Sequence, residues 1–396
     1  MESFRKEDPL LPRTKKAEDF SQGIQKSRKQ EEIVILKRMI LLNPGPVCTS
    51  ERVRNSLMKG DMCHRESEFS TILANTRKKI LQAFAPNGDY TTAIITGSGT
   101  ASLEAGICSS VSEGKKILII NNGVYGERIS RIASAYRFKK VELKYDWCER
   151  PDIKEIEDTI SKDPDIEVVA MVHHETTTGL INPIHEVGAI TKKHGRTFFL
   201  DSVSGLGGEE IDLADDNVDI CICTANKCIQ GLPGLSFVLL KQNEVDRMRN
   251  IPPRSLYFNV ISQLDEQEQK GECPFTPSVH TFYAFEEALD ELLEESVQGR
   301  LTRYKKASSY LRNEFKRLNL ELLLPEGHLS NTITALYLPQ NMTYAHLHDS
   351  LKERGFVIYA GQGELNKKIF RIANMGELTM DDLESLIANL QEVLSE

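Results

Sequence analysis

The chain has 396 residues, of which 40% are hydrophobic and 27% charged, and its formal net charge is −9. This composition is typical of a globular protein, and the length exceeds one compact core, so we expect two packed lobes. The acidic balance argues against a nucleic-acid binder, and no apolar run approaches the roughly 20 residues of a membrane helix. The eight cysteines form no CxxC pair, which disfavours a metal site or disulfides and favours reduced thiols in a cytoplasmic protein without a signal peptide.

Residues 1–38 are rich in Lys, Arg, Glu and Gln and have no sustained apolar period, which predicts a flexible N-terminal arm. From Met39 onward, short apolar runs alternate with stretches that carry i, i+3, i+4 apolar spacing. The predicted strands of this part are 93–96, 117–121, 141–145, 168–173, 197–201, 220–223 and 235–240, and the predicted helices are 71–83, 101–109, 128–136, 153–161 and 184–194. The alternation predicts an α/β large domain, residues 39–300, with a mostly parallel seven-stranded sheet that binds ligands at the carboxyl ends of its strands.

Past a polar segment at 263–272, which we expect to be mobile, helical patterns at 281–293 and 303–318 lead to a second set of elements. Its predicted strands are 320–324, 332–338, 356–360 and 369–373, and its predicted helices are 345–354 and 381–394. This pattern indicates a smaller C-terminal α+β domain, residues 301–396. We expect the first residues of the large domain to pack on it.

Two glycine-containing turns follow predicted strands. In the first, Ser98, Gly99 and Thr100 stand immediately before a predicted helix, where backbone N–H groups and hydroxyls can bind a phosphate. The GK[ST] ending of a P-loop is missing, and an ordinary turn before a helix remains the alternative. In the second, Tyr125 lies between two glycines and can either stack on a planar ring or cap the core.

Two further strand ends carry a lysine and an acid of complementary chemistry. Asp201 closes an apolar run, and Lys227 follows it beside a second apolar run. Taken singly, these residues have the structural interpretations of a capping acid and a solvated lysine. Together they are the groups that pyridoxal 5′-phosphate chemistry requires, because the lysine bonds to the cofactor aldehyde and the acid pairs with the pyridinium nitrogen.

The remaining candidates are a threonine and an arginine. Thr176 follows His173 and His174; neighbouring residues in a strand point to opposite faces, so we predict no metal site there. The Thr176 hydroxyl is a candidate contact for a phenolic oxygen, with a threonine-rich turn as the alternative. Arg371 is flanked by apolar residues on a predicted strand, so it must pair with an anion, either a structural carboxylate or the carboxylate or phosphonate of a substrate.

From about Ile40 to its C-terminus, the chain resembles the class V aminotransferases of fold-type I. The similar motifs are residues 42–46, 175–179 with 182–184, 225–231, 355–359 with 361, and 370–372 with 374 and 376–377. Segments 226–231 and 176–184 resemble most the members of the family that transaminate 2-aminoethylphosphonate with pyruvate. Segment 62–66 is more similar to members that act on serine, alanine and glyoxylate.

The resemblance implies a role for each candidate residue. Lys227 would hold pyridoxal 5′-phosphate covalently, Asp201 would pair with its ring nitrogen, and Arg371 and Gly45 would lie at the substrate. The remaining cofactor contacts implied are Ser98, Gly99, Thr100, Tyr125 and Thr176, together with Thr276 reaching the cofactor phosphate of a partner subunit. The last contact implies a homodimer with shared active sites.

The implied activity is amino transfer from 2-aminoethylphosphonate to pyruvate, giving phosphonoacetaldehyde and L-alanine, or the reverse. Two alternatives remain open at this point. One is an alanine– or serine–glyoxylate type aminotransferase, and the other is a non-catalytic protein that keeps the fold.

Overall fold

The computed structural model describes residues 39–396, so the predicted arm at 1–38 lies outside the described residues. The strands are β1 (Ile40–Leu41), β2 (Tyr90–Thr96), β3 (Lys116–Asn121), β4 (Lys139–Lys144), β5 (Ile166–Val172), β6 (His174–Glu175), β7 (Leu180–Ile181), β8 (Thr197–Asp201), β9 (Ile220–Thr224), β10 (Leu235–Lys241), β11 (Ile333–Tyr337), β12 (Phe356–Val357), β13 (Tyr359–Ala360) and β14 (Ile369–Ala373). The α-helices are α1 (Glu51–Asn55), α2 (Ser67–Phe84), α3 (Gly99–Ser110), α4 (Val124–Ala135), α5 (Ile153–Lys162), α6 (Ile184–Lys193), α7 (Gln242–Met248), α8 (Val260–Asp265), α9 (Val279–Glu295), α10 (Val297–Arg317), α11 (Tyr344–Glu353) and α12 (Met380–Ser395).

The central sheet has seven strands in the order β2-β10-β9-β8-β5-β3-β4. Strand β10 is antiparallel to both of its neighbours, whereas the other pairings are parallel. Six strands therefore run in one direction, and their carboxyl ends meet at one edge of the sheet. The α/β fold with a mostly parallel seven-stranded sheet is confirmed.

Helices cover both faces of this sheet, which is why its inner strands are apolar without alternation. In β8, Phe198 and Leu200 pack into one apolar layer and Phe199 packs into the other. Helices α2, α5, α6 and α9 contribute to the first layer. Helices α3, α4, α7 and α8 contribute to the second.

The C-terminal elements form a separate apolar cluster around the three-stranded sheet β11-β14-β13. Strand β1 joins this region, since it pairs in parallel with β12 and the Leu42 carbonyl accepts a hydrogen bond from the Ala373 N–H at 2.8 Å. Helix α10 runs across residue 300. The division into domains 39–300 and 301–396 stays a prediction.

One predicted strand is wrong. Residues 320–324 form no strand but one isolated bridge, Leu322 to Leu336, because Pro325 follows at once and cannot continue the pairing. Residues 263–270 of the segment expected to be mobile are helical, with the end of α8 followed by a π-helix, Glu266–Lys270. The buried Gln267 side chain holds it in place by bonding to both the N–H and the carbonyl of Ile94.

Across residues 39–396, no helix combines the length and the apolarity needed to span a bilayer. The same part of the chain contains no group of three or more His, Cys, Asp or Glu side chains arranged to hold a metal ion.

Candidate active site

A pocket of about 160 Å³ lies at the carboxyl edge of the central sheet. The predicted site residues that line it are Ser98, Gly99, Thr100, Tyr125, Thr176, Asp201 and Lys227. They come from the ends of β2, β3, β8 and β9 and from the segment that follows β5. The topology therefore brings together side chains that stand far apart in the sequence.

A larger hollow of about 470 Å³ lies elsewhere, at the amino ends of β5 and β8. Charged side chains line it and pair with one another, as Arg247 does with Glu167 at 3.2 Å and with Glu244 at 2.7 Å. Ligands of parallel α/β sheets bind at the opposite edge. We therefore place the functional site in the smaller pocket.

The phosphate-binding candidate is the N-terminus of α3. Ser98 is the N-cap residue with an extended backbone, and its side chain makes no capping hydrogen bond within the described chain. The first-turn N–H groups of a helix have no intrahelical acceptor, so they suit an anion. Gly99 is required by close packing, since a Cβ there would lie 2.9 Å from Val203 Cγ1.

Lys227 lies in the loop between β9 and β10, against the segment that follows β1. Its Nζ donates a hydrogen bond to the Pro44 carbonyl. Gly45 packs on the same side chain, because a Cβ there would lie 2.7 Å from Lys227 Cδ. Burial, helped by the positive charge of Arg371 and opposed by Cys228 and Asp201, lowers the pKa of Lys227 to about 8. At neutral pH the neutral, nucleophilic amine is therefore far more populated than in an exposed lysine.

Asp201 ends β8 and is 4% exposed. One hydrogen bond reaches its carboxylate within the described residues, from the Val203 N–H to Oδ1 at 3.1 Å. Burial raises the pKa of Asp201 to about 6, whereas the charges of Arg128 and Lys227 act in the opposite direction. Such a poorly solvated carboxylate is stabilised by a cationic N–H partner, as a protonated ring nitrogen would be.

Arg128 is a pocket residue that the sequence analysis missed. Its guanidinium carbon lies 4.6 Å from the centre of the Tyr125 ring, and its Nη1 donates to Thr100 Oγ1 at 3.2 Å. It therefore connects the ring-stacking candidate to the phosphate-binding turn and adds positive charge to the pocket. Both residues lie on α4 with i, i+3 spacing, but the predicted helix began only at residue 128, after Tyr125, so the sequence did not place them together.

Two buried polar atoms of the pocket lining lack a partner. Thr176 Oγ1 and His174 Nε2 make no hydrogen bond within residues 39–396. Unsatisfied buried polar groups are costly, so both atoms are suited to contact a ligand. Burial lowers the pKa of His174 to about 3, which keeps the imidazole neutral. The His174 Nε2 was also missed, because adjacent histidines suggested only a metal site.

These features fit pyridoxal 5′-phosphate. Its phosphate matches the N-terminus of α3 and Arg128, its pyridinium nitrogen matches Asp201, and its phenolic oxygen matches the unpaired hydroxyl of Thr176. Its aldehyde matches a lysine whose pKa is lowered.

Arg371 does not line this pocket but lies behind Thr176, 2% exposed. Its Nη1 donates to the Thr176 carbonyl at 2.7 Å, and its Nε and Nη2 donate to the Ala360 carbonyl at 3.0 and 2.7 Å. No carboxylate pairs with it in the described chain, so the structural ion pair considered from the sequence is not formed. Burial lowers the pKa of Arg371, as expected for a cation that has only neutral acceptors.

Thr276 is exposed and lies outside the pocket of its own chain. The preceding Phe275 stacks on Tyr257 at 4.8 Å, and the Tyr257 hydroxyl donates to the Thr96 carbonyl at the end of β2. Thr276 therefore sits on an exposed segment whose neighbour contacts the same strand end that leads into the phosphate-binding turn.

Comparison with known proteins identifies the family. The model of the family "Aminotransferase class-V" matches residues 50–378. The chain is 37% identical to the 2-aminoethylphosphonate–pyruvate transaminase of Bacillus cytotoxicus, over 89% of this chain and 97% of that protein. It is 38% identical to the Vibrio vulnificus protein of the same name, over 90% and 97%. The crystal structure of ureidoglycine–glyoxylate aminotransferase from Bacillus subtilis matches it with a TM-score of 0.85 at 26% identity, over 92% and 94%. The chain belongs to the class V aminotransferase family.

Proposed function

We propose that this aminotransferase uses pyridoxal 5′-phosphate to move the amino group of 2-aminoethylphosphonate to pyruvate, forming phosphonoacetaldehyde and L-alanine, or the reverse. The observation that carries the chemistry is the convergence of Lys227, Asp201 and the N-terminus of α3 on one pocket. The choice of substrate is supported by relatives of that activity at 37% and 38% identity over most of the chain.

When bound, the cofactor supplies an aldehyde and a protonated ring that takes up electron density from the substrate carbon. Lys227 would hold the cofactor covalently, and its Nζ, once freed, would serve as the base that takes the proton from the substrate carbon bearing nitrogen and returns it in the same half-reaction. Asp201 would keep the ring nitrogen protonated. Tyr125 would cover the ring, and Thr176 would bind the phenolic oxygen.

Substrate binding requires a group that accepts a phosphonate in one half-reaction and a carboxylate in the other. A guanidinium can bind either anion through two parallel hydrogen bonds. Arg371 is buried without a compensating carboxylate in the described chain, which supports this role. The proposal requires Arg371 to release part of its contact with the Ala360 or Thr176 carbonyl when the substrate anion binds.

We also propose a cytoplasmic homodimer in which Thr276 reaches the cofactor phosphate of the other subunit. Thr276 is exposed, and so is the apolar Leu256, at 83%; Leu256 precedes Tyr257, on which Phe275 stacks, so this side supports an interface. All eight cysteines are free, which is typical of a reducing compartment.

The test mixes the purified holoenzyme with 2-aminoethylphosphonate alone and follows conversion of the cofactor to its amine form by absorbance. After unreacted 2-aminoethylphosphonate has been removed, addition of pyruvate should restore the starting spectrum and yield one alanine for each cofactor in the amine form. The Lys227→Ala variant should show neither change. In the glyoxylate-type alternative, the cofactor of the wild-type enzyme would not react with 2-aminoethylphosphonate. Alanine or serine would instead convert the cofactor to its amine form, and glyoxylate would restore the starting spectrum.

That alternative depended on the segment 62–66, which is engaged outside the pocket. Arg65 forms an ion pair with Glu272 and also donates to the Cys273 carbonyl at 3.1 Å. These contacts give the segment a structural role, so its similarity to glyoxylate-type members says little about the substrate.

A further inference from the structure

Glu175 is a fully buried carboxylate that lies beside the pocket without lining it. Its Oε2 accepts hydrogen bonds from the N–H groups of Tyr125 at 3.2 Å and Gly126 at 3.3 Å. Its Oε1 accepts from the N–H of Thr177 at 3.3 Å and from the Thr177 hydroxyl. Burial raises the pKa of Glu175 to about 7, and these hydrogen bonds oppose the rise. Both carboxylate oxygens are therefore committed to backbone and hydroxyl donors around the site.

Helix α4 begins without a capping side chain of its own, because its N-cap residue is Gly123. A Cβ at this position would lie 2.3 Å from Cγ and Cδ of Glu175, so only glycine lets the carboxylate lie against the backbone. A negative charge at a helix N-terminus is stabilised by the unpaired N–H groups there. Glu175 thus caps α4 from a position 50 residues along the chain from Tyr125.

Three groups assigned to the cofactor or the substrate connect to this carboxylate. Tyr125 connects through its own N–H, and Thr176 is the next residue along the chain. Arg371 donates to the Thr176 carbonyl at 2.7 Å. Its pKa is lowered by burial, and the negative charge of Glu175 acts against that shift. Glu175 therefore connects two proposed cofactor contacts, Tyr125 and Thr176, with the region of the proposed substrate arginine.

We infer that Glu175 is a positioning residue that fixes Tyr125 and Thr176 in the orientation in which they contact the cofactor. The inference rests on the proposed assignment of those two residues. Glu175 caps the helix that carries Tyr125 and anchors Thr177, so its effect passes through its neighbours and not through contact with the cofactor. Loss of the carboxylate should weaken cofactor binding and make the surroundings of the bound cofactor less asymmetric.

The test is Glu175→Gln, which keeps the shape of the side chain but replaces one acceptor oxygen with a donor. The dissociation constant of pyridoxal 5′-phosphate from the apoenzyme is measured together with the visible circular dichroism of the bound cofactor. We expect at least tenfold weaker binding and a smaller dichroic band. The matched control is Asp152→Asn, since Asp152 caps α5 by accepting from the Lys154 and Glu155 N–H groups, and it should stay within twofold of wild type. Unchanged affinity and dichroism in Glu175→Gln overturn the inference, even if its melting temperature falls.

A double-mutant cycle tests the route. The factor by which Glu175→Gln weakens cofactor binding should be at least threefold smaller in a Tyr125→Ala background than in the wild type. The reason is that one of the two residues that Glu175 positions is then already absent. An undiminished loss overturns the inference. Should Glu175→Gln fail to fold, Thr177→Val removes the hydroxyl that donates to Glu175 and accepts from the Val124 N–H at 3.2 Å, so it loosens the same helix cap. It should weaken cofactor binding at least threefold, and unchanged binding counts against the inference.

These measurements contain no amino donor, so an error in the proposed substrate does not affect them. A wild-type protein that fails to bind pyridoxal 5′-phosphate would refute the proposed function. A wild-type protein that binds it normally, with a Glu175→Gln variant that does the same, refutes the role of Glu175 alone.

Discussion

The contact between Gly45 and Lys227 makes Gly45→Ala an informative perturbation. Gly45 has φ +112°, and an added Cβ would lie 2.7 Å from Lys227 Cδ, 2.8 Å from Cε and 2.9 Å from Nζ. The lysine side chain must retreat by about 0.7 Å to reach the 3.4 Å at which ordinary contact begins. A misplacement of ~1 Å at a reacting group costs roughly 100-fold in rate. We therefore expect the half-reaction with 2-aminoethylphosphonate to slow by about 10- to 100-fold.

The backbone contribution must be separated from the displacement of the lysine. Gly114→Ala is the matched control, because Gly114 also has a positive φ, +80°, but has no neighbour within 4 Å of an added Cβ. Both variants should lose about 1–3 kcal/mol of unfolding free energy through backbone strain. Stability is measured by urea unfolding, and the half-reaction by stopped-flow absorbance at saturating cofactor. If Gly45→Ala reacted within twofold of Gly114→Ala, the proposed steric link to Lys227 would be refuted.

Two further variants test other parts of the site, and a third tests a buried carboxylate, Glu209, that lies outside the pocket. Arg371→Lys keeps the positive charge but cannot form two parallel hydrogen bonds to an anion. The KM values of both 2-aminoethylphosphonate and pyruvate should therefore rise at least tenfold, with little change in cofactor affinity. A rise for one substrate only would contradict a shared anion site. The Thr276→Ala variant should release cofactor faster, as measured by dialysis, and its dimer should dissociate at higher protein concentration, as measured by sedimentation. A stable monomer with full cofactor occupancy would exclude the shared site. Burial raises the pKa of Glu209 from 4.5 to about 8. Between these two pH values the folded protein keeps a proton on Glu209 that the unfolded chain has lost, so the free energy of unfolding falls as the pH rises. Glu209→Gln should flatten this fall by up to about 1.4 kcal/mol per pH unit in urea unfolding, and equal slopes would show that Glu209 does not titrate as described.

The sequence predicted the central sheet well because its strands are buried on both faces. The predicted run 117–121 differs from β3 by one residue, and 197–201 coincides with β8. The sequence predicted local structure less well where a segment is held by residues that are distant in the chain. The polar segment around Gln267 gave no sign of being held, because the groups that hold it belong to Ile94, 173 residues away.

The same distinction applies to the site. Strand-end residues such as Asp201 and Lys227 were found because parallel topology predicts that strand ends meet. Arg128 and Glu175 were not assigned roles, because each acts through a neighbour from another segment and neither motif shows that contact. Arg371 was predicted to bind an anion, but its position behind Thr176, outside the pocket, depends on how the C-terminal three-stranded sheet packs against the segment that carries Thr176.

The pairing of β1 with β12 has a consequence for engineered chimeras of this family. Besides Leu42, Cys48 is tied to the C-terminal region, since its carbonyl accepts from the Glu377 N–H at 2.8 Å. Between these two residues lies Pro44, whose carbonyl holds the amine of Lys227. Exchanging the C-terminal part of the chain through one crossover near residue 300, to transplant substrate preference, would leave the first strand of one parent facing the C-terminal elements of another. A functional exchange therefore needs two crossovers, so that residues 40–48 are exchanged together with the C-terminal elements they pair with.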